Sequence, residues 1–195
     1  MSNVRNPHAD SRLPKVLDEA ARLFRTRGFE GTSVREIAKA VGMLPGSLYC
    51  HFETKEALLV AVYVKGVQQI TDAVQSAVAG VADPWERLEA ACIAHLEAIL
   101  RDDDYAQVVV RVRPDDVPVA HESLIELRNS YEDLFSGLIR DLPLSRSTDR
   151  RVLRLMLIGA MNSAQTWYRP DGRFNPRAIA RKFIALLRQG QEVAA

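Results

Sequence analysis

The sequence predicts an all-α protein of about nine helices: an N-terminal three-helix unit that contains a helix-turn-helix, then a larger C-terminal helical body. Three observations predict the fold. Apolar residues recur at spacings of three and four in nearly every uninterrupted stretch, which is the period of a helix with one buried face. The interruptions are helix punctuation, with Ser33, Thr54, Asp83 and Asn175 at starts and Gly28, Gly42 and Gly80 at stops. Only YAQVVVRVR, from Tyr105, favours a strand by composition, and no partner strand is visible to satisfy its backbone, so a short helix is expected there too.

The first helix is expected from Ser11 to Arg27, where Leu13, Val16, Leu17, Ala20 and Phe24 form a stripe that Gly28 closes. Ser33 opens the second, and Glu36 stands at the position that completes a capping box. Val34, Ile37, Ala38 and Val41 give it an apolar face, with Arg35 and Lys39 opposite. Gly42 stops it, and Pro45 starts a third, shorter helix to about His51, with Leu48 and Phe52 directed inward. Thr54 caps a long fourth helix to about Ala79, with Val60, Val64, Val67, Thr71, Val74 and Val78 along one side.

Asp83 and Pro84 begin the next helix, which places His95 on a stripe with Leu88, Cys92, Leu96 and Ile99. His95 is either satisfied by a neighbouring carbonyl or carboxylate, or a ligand contact. Asp102, Asp103 and Asp104 are expected as a solvated turn, since they lack the spacing of a calcium loop. A helix from about Val119 to Arg140 carries Arg128 within its apolar stripe, which calls for an anionic partner from the protein or from a ligand. Thr148 to Tyr168, with Leu153, Leu157, Ala160, Ala164 and Trp167, and a final helix after Asn175 and Pro176, with Ile179, Phe183, Leu186 and Leu187, are expected to form a homodimer surface as a four-helix bundle.

Composition narrows the function. The 195 residues are 47% hydrophobic, enough for a sizeable core, and the net charge of +1 means that any affinity for DNA rests on local placement of charge. Cys50 and Cys92 both lie in helical patterns, as expected of a reducing, cytoplasmic setting. The polar start MSNVRNPHADSR has no signal-peptide core, and the longest apolar run, Leu58 to Val64, is short for a bilayer, so no membrane partner is expected. His8, His51, His95 and His121 are isolated, and neither a metal-ligand spacing nor a nucleophile motif occurs, so an enzyme is not expected and no metal is assigned.

Two helices joined by a short turn containing Gly42 make a helix-turn-helix, whose second helix enters the major groove. Pro45, Gly46 and Ser47 are small and sit where backbone approaches base edges, while Tyr49, His51 and Lys55 offer groups suited to phosphate oxygens. Arg5 and Arg12 lie in or beside an arm that either reaches an adjacent groove or is simply solvated.

The stretch TSVREIAKAVGMLPGSLYCHFETKEALL resembles, nearly position for position, the N-terminal signature of the TetR family of bacterial transcriptional regulators. The resemblance implies a homodimer on a palindromic operator, with a small-molecule effector pocket in the remaining helices. It implies phosphate contacts for Ser33, Tyr49, His51 and Lys55, and proximity to bases for Arg35, Pro45, Gly46 and Ser47. Cys50 departs from the pattern, which more often has an aromatic or polar residue there. Within the family, WYRPDGRFNPRAIARKFIALLRQG is similar to regulators of fatty-acid and steroid catabolism that sense acyl-CoA thioesters. That second resemblance implies an acyl-CoA effector, with Arg111, Arg113 and Arg128 beside its phosphates and an apolar tunnel for the acyl chain; surface salt bridging is the other account of these arginines. His95 and Trp167 complete the candidate ligand contacts. The boundaries follow: residues 1–53 for DNA binding, and residues 54–195 for ligand binding and dimerisation. The competing function is a helical small-molecule or acyl-CoA binding module without regulatory DNA binding.

Overall fold

Nine α-helices and two 3₁₀ turns make up the regular structure of the described residues, 12–192, in a computed structural model of the chain. They are α1 (Leu13–Arg27), α2 (Val34–Ala40), α3 (Pro45–Tyr49), α4 (Lys55–Val78), α5 (Pro84–Leu100), α6 (Asp104–Arg111), α7 (His121–Arg140), α8 (Arg150–Trp167) and α9 (Pro176–Glu192), with the 3₁₀ turns Pro114–Asp116 and Pro118–Ala120 between α6 and α7. Arg5 and Ser11 lie outside the described residues.

The boundaries follow from side chains that satisfy the free backbone groups at helix ends. Ser33 Oγ accepts from the Glu36 amide at 3.2 Å and the Glu36 carboxylate accepts from the Ser33 amide at 2.9 Å, so the capping box forms. After α2, Gly42 adopts φ +67°, its amide donating to the Lys39 carbonyl while the Met43 amide donates to the Ala38 carbonyl. This Schellman closure turns the chain sharply into α3. Thr54, Asp83, Asp103, Asp149 and Asn175 each accept an amide in the first turn of the helix that follows. The Asp103 cap decides the ambiguous valine-rich stretch in favour of helix α6.

Two buried clusters hold the helices together. The first joins Val16, Phe24, Ile37, Leu48, Leu58 and Val62 to Tyr105, Val108 and Leu124 from the later helices. The second is built on α5, α7, α8 and α9 and includes Leu88, Phe135, Leu157, Met161 and Ile184. Helix α4 serves both, the first through Leu58 to Val67 and the second through Ile70 and Val74. By length and composition alone α4 is apolar enough to cross a membrane. Its buried stripe of Leu58, Leu59, Val62, Tyr63, Val67, Ile70 and Val74 is that of a central helix packed by its neighbours. That stripe differs from the expected one: Val64 is 45% exposed. The helix is apolar on most of its circumference, so periodicity did not select the face.

The acidic turn expected to be merely solvated ties the first helix to the body. Arg25 on α1 pairs with Asp104 at 2.9 Å and with Asp102, while Asp103 caps α6. A second tie lies nearby: Asp18 Oδ1 accepts from the Tyr105 hydroxyl at 2.6 Å and from Lys65 Nζ at 3.0 Å, joining α1, α4 and α6. Burial pushes the Asp18 carboxyl up, but these two bonds outweigh it and hold it below the usual carboxylate range.

Lys55 closes the base of the head. Its ammonium donates to the Phe29 carbonyl at 2.9 Å and stands 4.1 Å from the centre of the Phe29 ring, fixing the α1–α2 connection against the start of α4. Replacing Lys55 by Met keeps the aliphatic stem and removes both contacts. Urea unfolding is expected to show a loss of about 1–2 kcal/mol, independent of any effect on DNA.

Candidate DNA-binding face and ligand cavity

Leu48, fully buried, anchors the five-residue α3 on the head core and thereby turns the rest of α3 outward. Gly46, Ser47 and Tyr49 are exposed, with Pro45 and His51 half-buried beside them. Arg35 projects from the solvent side of α2 and makes no ion pair among the described residues. Ser33 is also exposed, but its hydroxyl is already engaged, accepting from the Glu36 amide and donating to the Glu36 carboxylate at 2.8 Å. Lys55 is turned toward the Phe29 carbonyl. The face therefore groups Arg35, Pro45, Gly46, Ser47, Tyr49 and His51, while Ser33 and Lys55 flank it with their polar atoms committed inside the head. Leu44, in sequence no more than a bridge to Pro45, is 75% exposed at the start of α3, a large apolar side chain suited to a thymine methyl group. Cys50 is exposed on the same short helix end.

In the body, α4, α5, α7 and α8 surround a cavity of about 350 Å³ closed on one side by the end of α6 and the chain after it. Tyr63, Ile99, Val109, Ile158 and the aliphatic part of its lining are accompanied by His95, Arg113, Arg128, Tyr131, Glu132 and Asn162. His95, Arg113 and Arg128 are thus brought to one space from three separate segments. Arg111 and Trp167 are not part of this lining. Arg111 is exposed and borders a groove between the head and the α6–α7 connection, and Trp167 is 47% exposed on the outer side of α8. The one-residue alternation that separates Arg111 from Arg113 spans the end of α6 at Val112, where the helical backbone gives way to extended chain, so the two side chains diverge.

His95 is buried and its polar atoms are both satisfied. Nε2 lies 3.1 Å from Asn162 Oδ1, and Nδ1 lies 2.6 Å from the Tyr131 hydroxyl. With Asn162 Oδ1 as acceptor, Nε2 carries the proton and Nδ1 accepts from Tyr131, so the imidazole is neutral. Its ring stacks on Tyr131 with centroids 5.7 Å apart and meets the edge of Phe135. The carbonyl expected from sequence is the side-chain amide oxygen of Asn162, and a tyrosine hydroxyl from another helix takes the second ring nitrogen. Burial lowers the His95 pKa to about 4, against a smaller opposing effect of the Asn162 bond.

The charges are unevenly matched. Glu132 is paired with Arg154, and Asp115, the other carboxylate of the lining, lies exposed at the rim 3.3 Å from His121. Arg128, half-buried in the wall, and Arg113, exposed at the rim, have no hydrogen bond or ion pair among the described residues. Among the described residues no His, Cys, Asp and Glu side chains cluster as a metal site. Sequence reasoning does not single out Tyr63, Tyr131, Glu132 and Asn162, because no local pattern links residues so far apart along the chain.

A helix-turn-helix with an outward reading helix, mounted on a helical body that encloses a cavity, defines a DNA-binding regulator. The chain belongs to the TetR family: residues 16–62 match the family model described as bacterial regulatory proteins, tetR family, and residues 81–191 match the tetracyclin repressor-like C-terminal domain. It is 30% identical over 188 residues to the transcriptional repressor KstR2 of Rhodococcus jostii, covering 92% of this chain and 90% of that protein. Among solved structures, AibR in complex with isovaleryl coenzyme A and operator DNA is 28% identical, with a TM-score of 0.76 over 90% of this chain and 97% of the other. The superantigen PfiT is 27% identical, with a TM-score of 0.78 over 93% and 97%. A protein of a different stated role on the same fold shows that function must be argued from the sites.

The His95 environment makes a pH prediction. Between the ordinary imidazole value of 6.5 and about 4, the unfolded chain binds a proton that the folded chain refuses. The stabilisation is therefore complete above that window and is lost as pH falls through it, by up to about 1.4 kcal/mol per pH unit. Urea unfolding as a function of pH is expected to show this slope in the native sequence and its loss in His95→Gln.

Proposed function

We propose that the protein is a ligand-responsive transcriptional repressor that binds a palindromic operator as a homodimer in the cytoplasm and is released by an acyl-CoA thioester. Residues 1–53 serve as the reading head, and residues 54–195 sense the effector and form the dimer. The observation that carries this reading is a cavity holding Arg113 and Arg128 without an anionic partner, walled by the end of a helix, α6, that also packs on α1 of the head. A buried or half-buried cation without a counter-charge is costly unless a ligand supplies one. AibR, whose structure holds isovaleryl coenzyme A and operator DNA together, supports the same pairing of ligand class and target.

The cavity is far smaller than coenzyme A, so the acyl end would enter while the phosphates remain near the rim beside Arg113, with Arg128 further in. Arg111 and Trp167 stand apart from this path. On the head, Pro45, Gly46, Ser47 and Arg35 would read bases, while Tyr49 and His51 hold phosphates, with smaller parts for Ser33 and Lys55.

Binding couples to DNA by linkage. An effector that prefers the arrangement with the reading helices at the wrong separation weakens operator binding by the factor by which DNA weakens effector binding, and about 3 kcal/mol of coupling is worth roughly 150-fold. Helix α4 enters the cavity wall through Tyr63 and the head through Leu58 and Leu59, and α6 reaches both sites as well, so the two would move as a pair.

The dimer surface is assigned to the outer sides of α8 and α9. Leu153, Leu157, Ala164 and Ile179, which periodicity places at that surface, are buried within the subunit. The apolar residues left outside are Val152, Leu155, Met156 and Trp167 on α8 and Leu186 on α9. Two copies would bury these in a four-helix bundle and present the reading helices one DNA turn apart, roughly 34–36 Å.

Binding of the purified chain to DNA from its own upstream region, at stated salt with and without a panel of CoA thioesters, tests the proposal. Release by a thioester is expected. Binding that no thioester alters removes the effector assignment, and no specific binding at any salt favours the helical binding module. Within the same assay, Tyr49→Phe is expected to weaken all DNA sequences alike by about 1 kcal/mol, whereas Arg35→Ala relaxes specificity. Met156→Glu is expected to yield monomers in light scattering and to lower operator affinity at least tenfold, since two half-sites no longer bind together.

A further inference from the structure

If the effector is an acyl thioester, as proposed above, the polar groups of the cavity wall decide which acyl groups it selects. Tyr63 is 1% exposed, lines the cavity, and its hydroxyl makes no hydrogen bond among the described residues. Asn162 gives its carbonyl oxygen to His95, which leaves its amide N–H groups without an acceptor on the same cavity. Arg128 adds a third set of donors. Of the two carboxylates of the lining, Glu132 is held by Arg154 and Asp115 lies exposed at the rim, 3.3 Å from His121, while the Tyr131 hydroxyl is committed to His95.

The wall therefore offers donors in excess of acceptors, in a space otherwise formed by Ile70, Ile99, Val109 and Ile158. Burial raises the Tyr63 phenol to about 12, so it keeps its proton and can act only as a donor or a neutral acceptor at neutral pH. A saturated acyl chain placed here would strip water from these donors and return nothing. A chain bearing a carbonyl oxygen would accept from them.

We propose that the cavity selects oxygenated acyl groups, and that the Tyr63 hydroxyl, supported by the Asn162 amide, donates to an oxo group on the acyl chain. The discrimination is of the kind in which a site built to hydrogen-bond a ligand atom rejects the analogue that lacks it.

The test is titration calorimetry of the whole chain with two matched pairs: valeryl-CoA against levulinoyl-CoA, and the N-acetylcysteamine thioesters of the same two acids. The oxo member of each pair is expected to bind about tenfold more tightly. Tyr63→Phe, which keeps the ring and should leave the ligand-free melting temperature unchanged or raised, is expected to abolish most of that preference without weakening the saturated ligand. Equal affinities within each pair overturn the proposal, since water then satisfies the donors as well as a ligand does. A preference that survives intact in Tyr63→Phe overturns the assignment of the hydroxyl. An oxo preference in the truncated pair, with no affinity added by coenzyme A, supports the oxygen site and removes the CoA reading alone. No binding by any of the four ligands overturns both.

Discussion

At Gly66 the backbones of α4 and α6 come so close that a β-carbon would stand 2.6 Å from Val109 Cγ2 and 2.8 Å from the Tyr105 carbonyl oxygen. Such contact is possible only for glycine, and it lets an eight-residue helix lodge in the angle between α4 and α1. Once lodged, α6 places Tyr105 where its hydroxyl reaches Asp18 on α1, and its following residues Val112 and Arg113 where they wall the cavity. The two buried clusters and the relation between head and body depend on that approach.

The ionic contacts around α6 orient it more than they stabilise it. Arg25, half-buried, reaches the exposed Asp102 and the half-buried Asp104, and a pair to an exposed partner such as Asp102 contributes about 0–1 kcal/mol. The Asp18, Lys65 and Tyr105 group, exposed at Asp18 but backed by the buried Tyr105, carries three mutual bonds, including one of 2.8 Å from Lys65 Nζ to the Tyr105 hydroxyl. Apolar burial of Tyr105, Ala106 and Val108 supplies the attraction, and the polar contacts select one register for it.

The cavity shows a division of labour among polar groups. His95, Tyr131 and Asn162 satisfy one another across three helices and keep the imidazole neutral. That network closes the interior without consuming the donors of Tyr63 and Arg128. Filling this space with apolar groups would cut these donors off from water, at a cost of about 1–3 kcal/mol for each one left unpaired. Cys92, whose thiol burial holds well above its ordinary value, is by contrast an inert part of the neighbouring core.

Local sequence determined the helices and their ends, because capping boxes, proline starts and glycine stops act within a few residues: Ser33 with Glu36, Gly42 with Met43, Asn175 with Ala178. It also determined the helix-turn-helix, whose geometry is set inside one short stretch anchored by Leu48. Periodicity could not choose the face of α4, which is apolar on most of its circumference, and so placed Val64 inward. On α8 and α9 it found the stripe of Leu153, Leu157, Ala164 and Ile179, and only packing decided that this stripe is covered within the subunit. The cavity was legible through His95 and Arg128, polar residues on apolar stripes, but not through Tyr63, Glu132 or Asn162, which look ordinary in their own helices. Whether a buried polar atom is partnered depends on residues dozens of positions away, as His95 depends on Tyr131 and Asn162, and so the tertiary structure alone decided which donors were left without a partner on the cavity wall.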